Sequence, residues 1–206
     1  MDNNLQNYNL GFLDLIISED KENSKDHSGK YFGAVLITDS TGVPLEFRCT
    51  HPIKPSLVQK QLYGKMLLPY ISVTLCGLPL LNTLNIKPSL LIVKKDWFLE
   101  IREKSDIPIV FIKTSGEISR ETSGELLDFQ STAAADGADM LLSEIIDDRV
   151  GELKPINLYV KNKYKEDIGN NIEKLKKIFY KIDPLEPFDR ILKALEMIST
   201  QDERFR

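Results

Sequence analysis

The strongest constraint on the fold lies between residues 31 and 50, where two β-patterned runs flank a short turn. Tyr31 to Thr38 (YFGAVLIT) is rich in residues that suit a pleated, half-buried surface. Asp39-Ser40-Thr41-Gly42 follows, a polar turn with glycine where positive φ is cheap. Val43 to Thr50 (VPLEFRCT) then alternates, placing Val43, Leu45, Phe47 and Cys49 on one face and Glu46 and Arg48 on the other. The pattern predicts a hairpin. Upstream, Leu10 to Ser18 (LGFLDLIIS) is a short apolar run that predicts another strand. The charged stretch between them, EDKENSKDHSGK, has nothing to bury and reads as a mobile loop.

Downstream the period changes. Ser56 can cap a helix through LVQKQLYGKMLLPYISVTLCG, in which Leu57, Leu62, Met66, Tyr70 and Val73 keep helical spacing. Pro69 is expected to kink or divide it, Gly77 to stop it, and Pro79 to Leu84 to form a short second piece. Ser89 to Lys94 and Ile107 to Lys113 are β-branched runs of the kind buried in a sheet, joined by one or two helical turns. Ala138 to Ile146 predicts a short helix and Ile156 to Tyr164 a sixth strand. Amphipathic helices are predicted from Asp167 to Lys181 and from about Glu186 to Ile198.

These elements predict an α/β or α+β fold, a mixed sheet of five to six strands that begins as an antiparallel meander and is backed by C-terminal helices. Ribonuclease-H-like folds have this element order, and profilin-like and longin-like folds build sheets around similar hairpins. The expected division is a flexible N-terminus over 1–9, a core over 10–113, a polar arm over 114–136 and a helical C-terminal part over 137–206.

Composition narrows the function classes. In 206 residues, 27 basic and 31 acidic side chains leave a net charge of −4, so the whole-molecule field does not attract polyphosphate. The polar N-terminus lacks the pattern of a secretory signal, and no uncharged apolar stretch of membrane-spanning length is evident, so a cytoplasmic protein without a membrane partner is expected. Cys49 and Cys76 read as small packing hydrophobes. With His27 and His51 the only histidines, no metal site and no cofactor site is evident, and neither common nucleotide-binding glycine motif occurs.

Three groups of residues could carry chemistry. A ribonuclease-H-like order would ask for carboxylates on the first strand, the first helix or third strand, and after the fourth strand, and Asp14, Glu46 and Asp96 are the catalytic candidates at such places. Cys49 and His51 stand two apart, but Pro52 ends the strand and no helix N-terminus activates the thiol. Lys161, Lys163 and Lys165, interleaved with Tyr159 and Tyr164, form a basic stretch able to touch nucleic acid; Glu166, Asp167 and Glu173 interrupt the basic run that follows.

Pro44-Leu45-Glu46-Phe47-Arg48, Pro55, Gln61-Leu62-Tyr63-Gly64 and Asp183-Pro184-Leu185-Glu186-Pro187-Phe188-Asp189-Arg190 together resemble a bacterial protein family of about this length to which no activity attaches. The resemblance implies a prokaryotic source, a place in a multi-gene system, and no catalytic residue. With more packing signals than convergent polar groups, the sequence favours a non-catalytic subunit or adaptor that binds another protein. The alternatives are a metal-dependent nuclease or phosphoryl-transfer enzyme of ribonuclease-H-like type, and a nucleic-acid-binding accessory protein.

Overall fold

A computed structural model describes residues 7–18, 29–114, 140–146 and 156–202. The arm expected over 114–136 and the charged loop after Ser18 fall almost wholly outside the described residues. The chain builds one mixed seven-stranded sheet: β1 Leu10–Ser18, β2 Lys30–Thr38, β3 Pro44–Cys49, β4 Leu90–Val93, β5 Ile109–Thr114, β6 Met140–Ile146 and β7 Ile156–Lys161. Their spatial order is β3-β2-β1-β4-β5-β7-β6. The antiparallel meander β1-β2-β3 continues through parallel β4 and β5 and returns to antiparallel pairing at β7 and β6.

The mixed α/β sheet with its opening meander is therefore as expected, with one strand more. The addition is β6, where the sequence suggested a helix over 138–146. A seven-residue run, MLLSEII, is too short to be assigned by period alone. Pairing with β7 through a register shift between Leu142 and Glu144 decides its state.

Alternation along the strands fills a core on each side of the sheet. On one side Phe12, Leu36, Ile92, Val110 and Leu158 pack under α5 (Ile172–Phe179) and α6 (Glu186–Gln201). Phe12 and Phe188 meet edge-to-face at 5.6 Å, the arrangement that ring quadrupoles favour. On the other side Leu13, Val35, Leu91 and Val93 meet Ile71, Cys76, Leu80, Phe98 and Ile101. Tyr8, expected in a loose start, is buried, and its hydroxyl donates to Asn171 Oδ1 at 2.6 Å, beside the short α4 (Glu166–Gly169).

The long helical segment is built differently from its sequence prediction. Ser56 and Gln59 form a reciprocal capping box that starts α1 (Leu57–Tyr63). The break comes at Gly64, whose φ of 50° is one that an L side chain resists. Pro69 does not divide the chain. It ends a short α2 (Leu67–Pro69) that runs directly into a π-helical stretch, Tyr70–Gly77, and then into α3 (Leu78–Thr83). Nor does Gly77 stop the helix: it lets the backbone approach, since a Cβ there would lie 2.6 Å from Ile101 Cδ1. By length and apolar content Leu57–Thr83 could cross a membrane, but the π stretch and α3 bury Ile71, Val73, Cys76, Leu80 and Leu81 against the sheet. The π stretch and α3 are core elements of the α/β fold, while α1 buries no residue.

Candidate functional site

The strand order runs outward from β1 in both directions, to β2 and β3 on one side and to β4 and β5 on the other, so the chain reverses its course across the sheet between β1 and β4. In open α/β sheets, ligands bind beyond the carboxyl ends of strands at such a point. β4 pairs with β1 only as far as Leu13 opposite Val93. Asp14 is thus the first residue of β1 beyond that pairing, and Lys94, Lys95 and Asp96 continue the chain from β4 beside it.

Asp14 is 5% exposed. Its neighbours along the strand explain this, for Leu13 and Leu15 fill one core while Phe12 fills the other, and Asp14 shares the Phe12 side. The carboxylate accepts the Leu15 N–H at 2.9 Å and faces Lys95 Nζ at 3.8 Å. Burial pushes its carboxyl above the ordinary aspartate value, and the Lys95 and Lys94 ammonium groups and the Leu15 N–H offset only part of that rise. Lys94 lies on the same side, its Nζ 5.4 Å from the centre of the Phe188 ring.

The other two candidate carboxylates do not join it. Glu46 pairs in register with Ile37, which belongs to the opposite core from Asp14 and its partner Ala34. There it fixes the loop before β4, accepting from the backbone N–H groups of Asn85 at 3.0 Å and Ile86 at 2.9 Å, and it pairs with Arg48 at 2.9 Å. Partial loss of hydration works against its charge, but these donors outweigh it and hold the carboxyl below the usual glutamate range. Asp96 begins the turn after β4 and accepts the N–H of the next residue, Trp97, at 2.8 Å. A divalent ion needs several oxygen ligands within about 2.6 Å. Among the described residues no three His, Cys, Asp or Glu side chains gather to hold one. The described residues do not fit a two-metal centre.

The basic stretch also resolves differently. Lys161 is largely covered and held between Glu100 Oε1 at 2.6 Å and Glu103 Oε1 at 3.0 Å, so its charge is spent inside the fold. Lys163 lies over the Tyr164 ring, whose centre is also 4.5 Å from the Arg102 guanidinium carbon. Lys165 N-caps α4 through its backbone. Burial raises the Cys49 thiol pKa, the opposite of an activated nucleophile.

A stronger charge signal lies in the first half of the chain. Between Glu46 and Asp96 no carboxylate occurs, while Arg48, Lys54, Lys60, Lys65, Lys87, Lys94 and Lys95 supply seven positive charges. The rest of the chain therefore carries a net −11 against the total of −4. Averaging over the whole chain hid this segregation; a running sum along the sequence exposes it. The same span carries α1, which buries none of its residues and leaves Leu57, Val58 and Leu62 exposed, with Met66 exposed just beyond it.

No family profile matches the chain, and no curated protein does. Among solved structures it is similar to Ciona intestinalis Endonuclease V bound to an inosine-containing DNA, at 14% identity and a TM-score of 0.45, covering 93% of this chain and 87% of that one. Bacillus subtilis Endonuclease V is similar at 14% identity and a TM-score of 0.40, covering 78% and 69%. Marinitoga piezophila Argonaute with a guide RNA is similar at 12% identity and a TM-score of 0.34, covering 85% and 26%. No residue role is carried across at such values. The neighbours are nucleic-acid proteins by description, and on that finding the reading as a non-catalytic protein-binding subunit or adaptor is withdrawn.

Proposed function

We propose that this protein binds nucleic acid through the span of residues 47–95, which carries the end of β3, the helical segment Leu57–Thr83 and β4. The observation that supports this is the charge segregation: seven cations and no carboxylate in one continuous span of a chain that is acidic elsewhere, among them Arg48 and Lys95, which face the Glu46 and Asp14 carboxylates. Phosphate backbones are recognised by such local concentrations of Lys and Arg, with release of condensed counterions, even when the net charge of the protein is negative. The apolar side chains that α1 exposes in the same span suit contact with unstacked bases better than with a closed duplex.

Metal-assisted cleavage needs converging ligands, and the described residues supply Asp14 without them. Binding is therefore the activity proposed.

Fluorescence anisotropy with labelled single-stranded and duplex DNA and RNA, repeated from 50 to 200 mM salt, tests the reading. The expected result is binding that weakens steeply with salt and falls about tenfold or more when Lys54, Lys60 and Lys65 are changed together to Glu. Absence of binding at the lowest salt, or affinity indifferent to salt and to the triple substitution, would overturn it.

A further inference from the structure

We infer that the end of β1 is a metal-independent phosphate site, in which the Lys95 ammonium, steadied by the buried Asp14 carboxylate, stands where a metal-dependent enzyme of this strand order would need a cation. This deepens the nucleic-acid reading and rests on it, assigning a backbone phosphate to the turning point of the sheet.

Three observations carry the assignment. First, Asp14 is almost fully buried at the point where β1 outruns β4, so its carboxylate sits at the end of the parallel pairing at a cost in hydration. A residue placed only to sit in a strand would not need that. Second, the charge facing it is an ammonium 3.8 Å away, and Glu46 lies on the opposite face of the sheet, tied to the loop before β4. Third, Lys95 keeps about a third of its side chain exposed, so the group that touches Asp14 also reaches solvent, and an ammonium has three donors to share. Lys94, next in the chain and on the Asp14 side of the sheet, adds a second cation. A phosphate oxygen approaching the end of β1 would meet Lys95 and Lys94 without displacing Asp14. Asp14 acts through Lys95 and is a positioning residue.

The test is anisotropy on a labelled single-stranded oligonucleotide with 5 mM EDTA or with Mn²⁺, for the parent and for Lys95→Ala, Lys95→Arg and Asp14→Asn, with circular dichroism to confirm folding. The expected result is binding unchanged by EDTA and by Mn²⁺. Lys95→Ala should lose about tenfold in affinity and reduce the salt slope by about one, while Lys95→Arg retains most of both. Asp14→Asn should weaken binding less than Lys95→Ala and leave the salt slope unchanged. Loss of binding in EDTA, or an increase with Mn²⁺ that Asp14→Asn removes, would overturn the inference in favour of a metal site. Parent-like binding by Lys95→Ala, with affinity still falling about tenfold or more when Lys54, Lys60 and Lys65 are changed to Glu, would overturn it and leave the wider reading standing. If the parent binds no oligonucleotide, both fail.

Discussion

Gly33 lies directly against Cys76: a Cβ placed on Gly33 would stand 2.4 Å from the Cys76 Cβ and 2.9 Å from its Sγ. The contact brings the π-helical stretch down onto β2. Because the clash is with a Cβ, trimming the thiol cannot relieve it. Gly33→Ala should cost about 1–3 kcal/mol, the usual range for overpacking, and Gly33→Ala with Cys76→Ala should be no more stable than Gly33→Ala alone. Urea unfolding measures both. The Cys76 thiol, pushed up to about 11 by burial, should also stay unreactive toward a disulfide reagent at pH 8 until the chain unfolds.

Neither half of that contact was legible in the sequence, and the reason is general to this chain. Period and turn chemistry are local, so the hairpin about Asp39 and Gly42 and the stripe Leu175, Ile178 and Phe179 could be read directly. Gly33 looks like a weak point in a strand until the helix above it is known. The state of Met140–Ile146 depends on β7 in the same way. At the candidate site, Asp14 was picked out by strand order, but separating it from Glu46 needed the register across β2, which assigns the two to opposite faces.

Arg102 and Asp167 join the two helical layers around the start of β5. Arg102 Nε donates to Asp167 Oδ2 at 2.8 Å and Nη1 to the Ser105 carbonyl at 3.0 Å, while Asp167 also accepts the Ile109 N–H at 3.3 Å. Asp167 is buried, so removing Arg102 strands a carboxylate. Breaking one partner of a buried pair costs about 3–5 kcal/mol, and the partial exposure of Arg102 puts this case at the lower end. Arg102→Ala should lower the midpoint of thermal unfolding by several degrees, with Asp167→Ala comparable. A loss under about 0.5 kcal/mol would show the pair to be dispensable.

The exposed apolar row on α1 makes the opposite prediction. Leu62 is 78% exposed, and α1 buries no residue, so these side chains contribute little to folding. Leu62→Gln with Met66→Gln should change unfolding stability by less than about 0.5 kcal/mol, as for other surface sites. Nucleic-acid affinity should fall if the row meets bases. A large loss of stability would mean that α1 packs more firmly than its exposure indicates.

Asp14 couples the site to stability through pH. Its carboxyl is held above the ordinary value of 3.8, so between the unfolded and folded pKa the native state binds more protons than the unfolded one. Ionising Asp14 therefore weakens the fold. Its contribution is most favourable below about pH 3.8 and is lost as pH rises through the folded value. Asn cannot ionise, and its side-chain oxygen can still accept the Leu15 N–H. Asp14→Asn should thus match the parent in acid and become the more stable of the two as pH rises toward neutrality, where each kcal/mol gained is about 2–4 °C in Tm for a chain of this size. Parallel melts from pH 3.5 to 7.5 read the difference. A carboxylate retained where it destabilises the protein is the signature of a functional group, and a variant that gains stability while losing oligonucleotide affinity would display that trade-off directly. If Asp14→Asn is instead less stable at neutral pH and unchanged in affinity, the Asp14–Lys95 pair is a structural ion pair and the phosphate site must be sought elsewhere in the basic span.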